Sequence, residues 1–193
     1  MVASPRTLLL AAALTLAGVF TPALAVDSYK LDGVHSMIIF KINHFNVSNT
    51  YGRINSPAGT FAIDPADLAN SSLSISVNVA DIDTNNAKRD EHLKSADFFN
   101  AKQFPTIAYK STSIKKIDDK TFEVTGDLTL HGVTKPVTVK LAKVGEADMP
   151  GAGHRAGYET TFTIKRSDFG MSTMVGPVGD EVTLMVNLEG VKE

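Results

Sequence analysis

Five histidines, His35, His44, His92, His131 and His154, are the residues best equipped for acid–base or metal chemistry in this 193-residue chain. His35 and His44 flank one apolar, alternating segment and are nine positions apart. A regular strand rises about 3.3 Å per residue, so the two lie near opposite ends of it and cannot share one ion. No pair shows the spacing of a helical two-histidine metal site. The expected role for these rings is structural, each fixed by a hydrogen bond, with no metal. Ser36 follows His35 directly, but strand neighbours point to opposite faces, and no Gly-x-Ser-x-Gly elbow is present. Arg89-Asp90-Glu91-His92 places four ionisable groups on one turn, a pattern that usually marks a solvated helix face with local charge pairs. Asp168-Phe169-Gly170 matches the magnesium triplet of protein kinases by letters alone, without the loops that accompany it there. Gly151, Gly153 and Gly157 lack dinucleotide-binding spacing, and no helix pattern follows them. No catalytic constellation emerges, and no cofactor is implied.

The elements that would position such residues are almost all strands. Ile38, Phe40 and Ile42 recur at every second position and lead to His44. Leu73, Ile75, Val77 and Val79 alternate with Ser72, Ser74, Ser76 and Asn78. The same rhythm runs through Phe122, Val124, Leu128 and Leu130, then Val137, Val139 and Leu141. It continues with Tyr158, Phe162 and Ile164, and ends with Val182, Leu184, Val186 and Leu188. Each segment reads as a strand with one apolar face and one face rich in Ser, Thr and Lys. Asp118-Asp119 and His131-Gly132 separate strands at hairpin spacing, and Met149 to Gly153 reads as a flexible loop. Asn85 to Ser95 breaks the alternation and reads as a short helix.

Seven to nine strands joined mostly by short turns predict an all-β, up-and-down antiparallel barrel of about eight strands, with a sandwich as the alternative. A barrel of that size is either filled by its own side chains or holds one small ligand. Alternation alone leaves that choice open.

The first 25 residues have the parts of a cleavable secretory signal. Arg6 supplies positive charge, Leu8 to Phe20 is an apolar run, and Ala23-Leu24-Ala25 offers small residues for cleavage. The run is shorter than the roughly 20 residues of a membrane span, so no stable membrane anchor is expected. Cleavage before Val26 would leave one domain, 26–193, outside the cytoplasm. The chain has no Cys, so stability must come from burial and strand pairing rather than disulfides. Its net charge of −2 and the absence of a basic cluster argue against a nucleic-acid partner.

Several separated stretches resemble the YceI-like family of bacterial periplasmic proteins. They include Asp32-Gly33-Val34-His35-Ser36, Tyr51-Gly52-Arg53, Ile82 to Asn86, Lys88 to Leu93, Asp97-Phe98-Phe99 and Phe104-Pro105-Thr106. Gly132 to Val137, Arg166 to Met171 and Gly179 to Val182 complete the set. The resemblance runs from about Tyr29 to the C-terminus and absorbs the kinase-like triplet. It implies a lipocalin-like barrel with a long apolar cavity that binds a polyisoprenoid or another long-chain amphiphile, without established enzymatic activity. It also implies a link to isoprenoid (quinone-related) transport, storage or metabolism. Carried onto this chain, the expected lumen liners are Ile38, Phe40, Ile42, Ile75, Val77, Val124, Leu128, Phe162, Leu184 and Val186. His35, His44, Arg89, Asp90 and His92 are candidates for a polar mouth that meets the ligand head group. A lipid ligand is thus the expected partner, with a homodimer as a possible assembly. The rival readings are a periplasmic enzyme acting on an isoprenoid lipid and a small outer-membrane barrel with its apolar faces outward.

Overall fold

A computed structural model describes residues 26–193, so the expected signal segment, 1–25, lies outside the described residues. Eleven strand segments form one antiparallel sheet that closes on itself. They are β1 (Tyr29–Leu31), β2 (Met37–His44), β3 (Ser48–Ile54), β4 (Ala58–Ala62), β5 (Ser72–Asn78), β6 (Ile82–Asp83), β7 (Thr106–Lys116), β8 (Thr121–Leu130), β9 (Val133–Met149), β10 (Gly153–Lys165) and β11 (Val178–Lys192). One helix, α1 (Ala87–Lys94), lies between β6 and β7.

The eleven segments make eight walls, because three pairs are single strands interrupted once. β1 and β2 both pair with β11, and the break between them is turned by the Asp32 carboxylate, which accepts the Val34 N–H at 2.9 Å. β3 and β4 are divided at Ser56 and Pro57, where a proline cannot donate to the ladder. β5 and β6 are divided by a single 3-10 turn, Val79–Asp81. Walls then follow in chain order, and β11 returns to β1 and β2 to close the ring. This is the up-and-down barrel that the alternation predicts, and the helix lies within the predicted 85–95 segment.

Side-chain direction follows the same period. Phe122, Val124 and Leu128 point inward, while Ser72, Ser74, Lys110 and Lys140 are exposed on the outside. A membrane-spanning barrel would have the reverse arrangement. The turn at His131-Gly132 has positive φ at both residues (52° and 74°), the geometry that fits the right-handed twist of a two-residue hairpin. Residues 149–153, expected as a flexible loop, are instead a tight hairpin turn. Strands β9 and β10 run to its edges, and the Ala152 N–H donates to the Met149 carbonyl at 2.9 Å.

The two ends of the barrel differ. At one end Tyr29, Phe61, Phe122, Val124, Leu141, Tyr158 and Leu188 form a sealed cluster. Its rings pack closely, with Tyr29 stacked on Phe61 at 5.0 Å and Phe61 edge-on to Tyr158 at 5.2 Å. Toward the other end β9 and β10 part company. Their ladder runs from Gly153↔Met149 to Glu159↔Ala142, after which β10 pairs with β11 and β9 with β8. The 3-10 turn Arg166–Phe169 fills the wedge, and Phe169 and Met171 pack with Val133, Val137 and Ile164.

Candidate functional site

Splayed walls at one end and a sealed cluster at the other leave an apolar cavity of about 330 Å³ inside the barrel. That is within the roughly 300–1,000 Å³ typical of small-molecule sites. Its floor is Leu73, Val139, Leu141 and Leu188, which also belong to the sealed cluster. Its mouth lies at the opposite end, among His44, His92, Phe98 and Met174.

Nine of the ten liners expected from alternation surround this space: Ile38, Phe40 and Ile42 on β2, Ile75 and Val77 on β5, Leu128 on β8, Phe162 on β10, and Leu184 and Val186 on β11. The structure places Val124 elsewhere. It faces inward as expected, but its solvent exposure is 0% within the sealed cluster below the cavity. Alternation fixes which face a side chain occupies, not its depth along the barrel.

The five polar candidates also divide. His44, Arg89 and His92 line the mouth. Asp90 does not; it holds the helix in place. Its carboxylate accepts the Thr84 N–H at 2.9 Å and the Thr84 hydroxyl at 2.5 Å. Arg89 completes that knot, donating from Nε to Thr84 Oγ1 and from Nη2 to the Thr84 carbonyl, both at 2.7 Å. The Asn86 side chain caps the helix by accepting the Arg89 N–H at 3.0 Å. His92 lies 2.9 Å from Asp97 through Nε2 and packs edge-on to Phe98.

His35 lies away from the mouth, beside the turn between β1 and β2. Its Nδ1 is 2.8 Å from the Asp32 carboxylate. Arg155 Nη1 bridges Asp32 at 2.7 Å and Glu189 at 2.6 Å. The Arg155 guanidinium, and secondarily His35, hold the Asp32 carboxyl well below the usual carboxylate range. Asp32, His35 and Glu189 present converging ligand-type atoms. The cation already between the two carboxylates is Arg155, which makes the cluster a clasp across the barrel wall. His131 and His154 are likewise tied, to the Phe169 carbonyl at 3.1 Å and to Asp148 at 2.8 Å.

Further residues shape the site in ways that strand alternation does not reveal. Arg166 is buried and donates to four carbonyls, Gly179 at 2.9 Å, Met171 and Thr173 at 2.7 Å, and Val178 at 3.1 Å. Burial lowers its pKa, and Asp180 partly opposes that. It therefore ties the 171–179 segment to the lip of the cavity. The motif around Arg166 was visible, but a carbonyl-binding role depends on chain paths that alternation does not reveal. Tyr109 lines the cavity with its hydroxyl 3.1 Å from the Val124 and Val137 carbonyls, and burial pushes it up to about 12. Gly126 makes room for that ring, since a Cβ there would lie 2.6 Å from it. Thr160 also lines the cavity, and its buried hydroxyl has no hydrogen-bond partner among the described residues. A polar group on a ligand could supply one, because an unpaired buried hydroxyl is costly.

The apolar wall and tied histidines suit retention of a hydrophobic chain. Comparisons with known proteins agree with the fold and the motifs. Residues 29–190 match the YceI-like domain. The chain is 43% identical over 173 residues to Protein YceI of Escherichia coli O157:H7, covering 89% of this chain and 90% of that one. The crystal structure of BcnA from Burkholderia cenocepacia superposes with a TM-score of 0.75 at 25% identity, covering 82% of this chain and 98% of that one. A polyisoprenoid-binding domain from Saccharophagus degradans shares the fold, with a TM-score of 0.66 at 13% identity, covering 86% of this chain and 98% of that one.

Proposed function

The chain belongs to the YceI-like domain family, and from that premise we propose that it binds a polyisoprenoid or similar long-chain amphiphilic lipid in its barrel cavity. The observation that carries this reading is the cavity itself, which is apolar along most of its wall, sealed at one end, and bordered by histidine and arginine side chains at its mouth. A long hydrocarbon tail gains about 0.8 kcal/mol for each CH₂ it buries, so such a space selects a chain rather than a polar metabolite. The head group would stay at the mouth, near His44, Arg89 and His92. The polyisoprenoid-binding domain of Saccharophagus degradans supports this choice of ligand through a shared architecture.

The protein acts as a carrier or store rather than an enzyme in this reading. Support comes from the mouth histidines, which are engaged with Phe45 or with Asp97 and Phe98 rather than paired with a nucleophile. Residues 1–25 direct export to the periplasm, and the working form begins at Val26. There the cargo would serve isoprenoid (quinone-related) transport, storage or metabolism. Calorimetric titration of the mature chain with a dispersed polyisoprenoid tests the binding. Saturable uptake with a negative heat-capacity change is expected, since apolar surface is buried. No saturable uptake would overturn the proposal.

A further inference from the structure

The lip of the cavity has an edge whose chemistry differs from the rest of the surface. Two segments meet there, the β2–β3 turn and the loop before β11. Residues 42–50 and 169–178 contain no Asp, Glu, Lys or Arg, in a chain that is 21% charged. Their tips expose Phe45 (50%), Val47 (86%), Met174 (43%) and Val175 (42%). At the other end of the barrel the setting of an exposed apolar residue is different. Ile117 at the sealed end is next to Asp118, Asp119 and Lys120.

The tips are held in place rather than trailing. The Phe45 N–H donates to the Pro177 carbonyl at 2.6 Å and so joins the two segments. The Val178 N–H closes the second loop on the Met174 carbonyl at 2.9 Å, and buried Arg166 grips the Met171, Thr173 and Val178 carbonyls. Phe45 and Met174 both adopt positive φ, 53° and 57°, an unfavourable conformation for bulky side chains. Such strain persists where the surroundings enforce it, and it is concentrated at functional positions. Here it projects apolar side chains into solvent.

The edge is also continuous with the cavity. The Phe45 ring packs edge-on to His44 at 4.6 Å, and His44 lines the mouth. Met174 belongs to both the exposed edge and the cavity lining. We propose that this uncharged lip, Phe45, Val47, Met174 and Val175, docks on the surface of a lipid bilayer, so that a chain can pass between membrane and cavity without crossing water. The proposal rests on the lipid-carrier reading for its purpose, though docking can be measured without cargo. Apolar tips entering the headgroup region give reversible binding, as interfacial segments do. With no charge on the lip, attachment is insensitive to salt.

The test is flotation of the mature chain with vesicles of phosphatidylethanolamine and phosphatidylglycerol. Wild type should float with them, also in about 0.5 M salt, where screening suppresses charge attraction. Phe45→Ser combined with Val47→Ser should lower vesicle binding at least about tenfold, whereas Ile117→Ser at the sealed end should leave it unchanged. Met174→Ser serves as a second lip variant if the double variant melts early. Wild type that stays in the dense fraction, lip variants that float like wild type, or binding abolished by salt would each overturn the proposal. Uptake of polyisoprenoid dispersed in detergent, measured in parallel, separates the two claims. Flotation without uptake supports docking and contradicts the cargo, and uptake without flotation contradicts docking alone.

Discussion

Val77 and Val124 allow one substitution to ask whether the cavity holds a chain. Both point inward and both are nearly or fully buried, at 5% and 0% exposure. Val77 borders the cavity and Val124 lies in the sealed cluster beneath it. Changing either to Phe adds four carbons. At Val77 those carbons enter the space proposed for the ligand and displace a similar length of its chain. At about 0.8 kcal/mol per buried CH₂, that forfeits roughly 3 kcal/mol, or about two-hundredfold in affinity. The fold should tolerate the change, because the added ring has somewhere to go. At Val124 the same carbons meet Phe122, Leu141 and Tyr158 in a packed core, where overpacking costs about 1–3 kcal/mol. For a domain of this size that lowers Tm by roughly 2–12 °C, with lipid affinity little changed in the folded fraction. Thermal melting and calorimetric titration of both variants provide the comparison. Equal destabilisation with unchanged affinity at both positions would refute the reasoning, because the cavity would then be ordinary core.

The buried phenols give a pH prediction. Burial pushes Tyr109 and Tyr158 up to about 12, above the ordinary phenol value near 10. The folded state therefore keeps protons that the unfolded chain releases, and stability falls as pH rises from about 10 toward 12. Ultraviolet titration should show both phenols ionising in step with unfolding; ionisation near pH 10 in the folded protein would contradict their placement. Asp32 acts at the acid limit. Its depressed pKa gives stability that is present above the ordinary carboxylate range near 4 and lost as pH falls through the folded value. Arg155→Met should flatten that acid limb in melts recorded across pH, and an unchanged profile would remove the clasp from the account. Arg166→Met leaves four carbonyls without their donor. A loss of about 3 kcal/mol or more, or roughly 6–12 °C in Tm, is expected. A variant melting within about 2 °C of wild type would show that water replaces the guanidinium at little cost.

The barrel was legible because one physical rule, side chains alternating across a strand, runs through nearly the whole chain. The rule reaches as far as the face. It placed Ile38, Val77 and Leu184 on the inside correctly, but it could not tell the depth of Val77 from that of Val124. Depth depends on strand register and on which end the aromatic rings seal. Spacing set His35 and His44 at opposite ends of one strand, and only His44 proved to lie at the mouth. Asp90 and Arg89 are neighbours in sequence with different duties, one knotted to Thr84 and the other also facing the cavity. Residues 149–153 looked like a loop because Pro and Gly break patterns. Strands β9 and β10 are long enough to leave only a turn there. Arg166 stood in a recognisable motif, yet its four acceptors belong to a segment that folds back over it.

Whether the barrel carries a lipid is read from what the protein holds when it leaves its own cell. The protein would be purified from its own cells without detergent, and its bound material extracted and identified by mass spectrometry. A long-chain isoprenoid lipid is expected near one per chain, reduced in Val77→Phe and retained in Val124→Phe. Protein that emerges free of lipid, and takes up no long-chain isoprenoid when one is supplied, would contradict it.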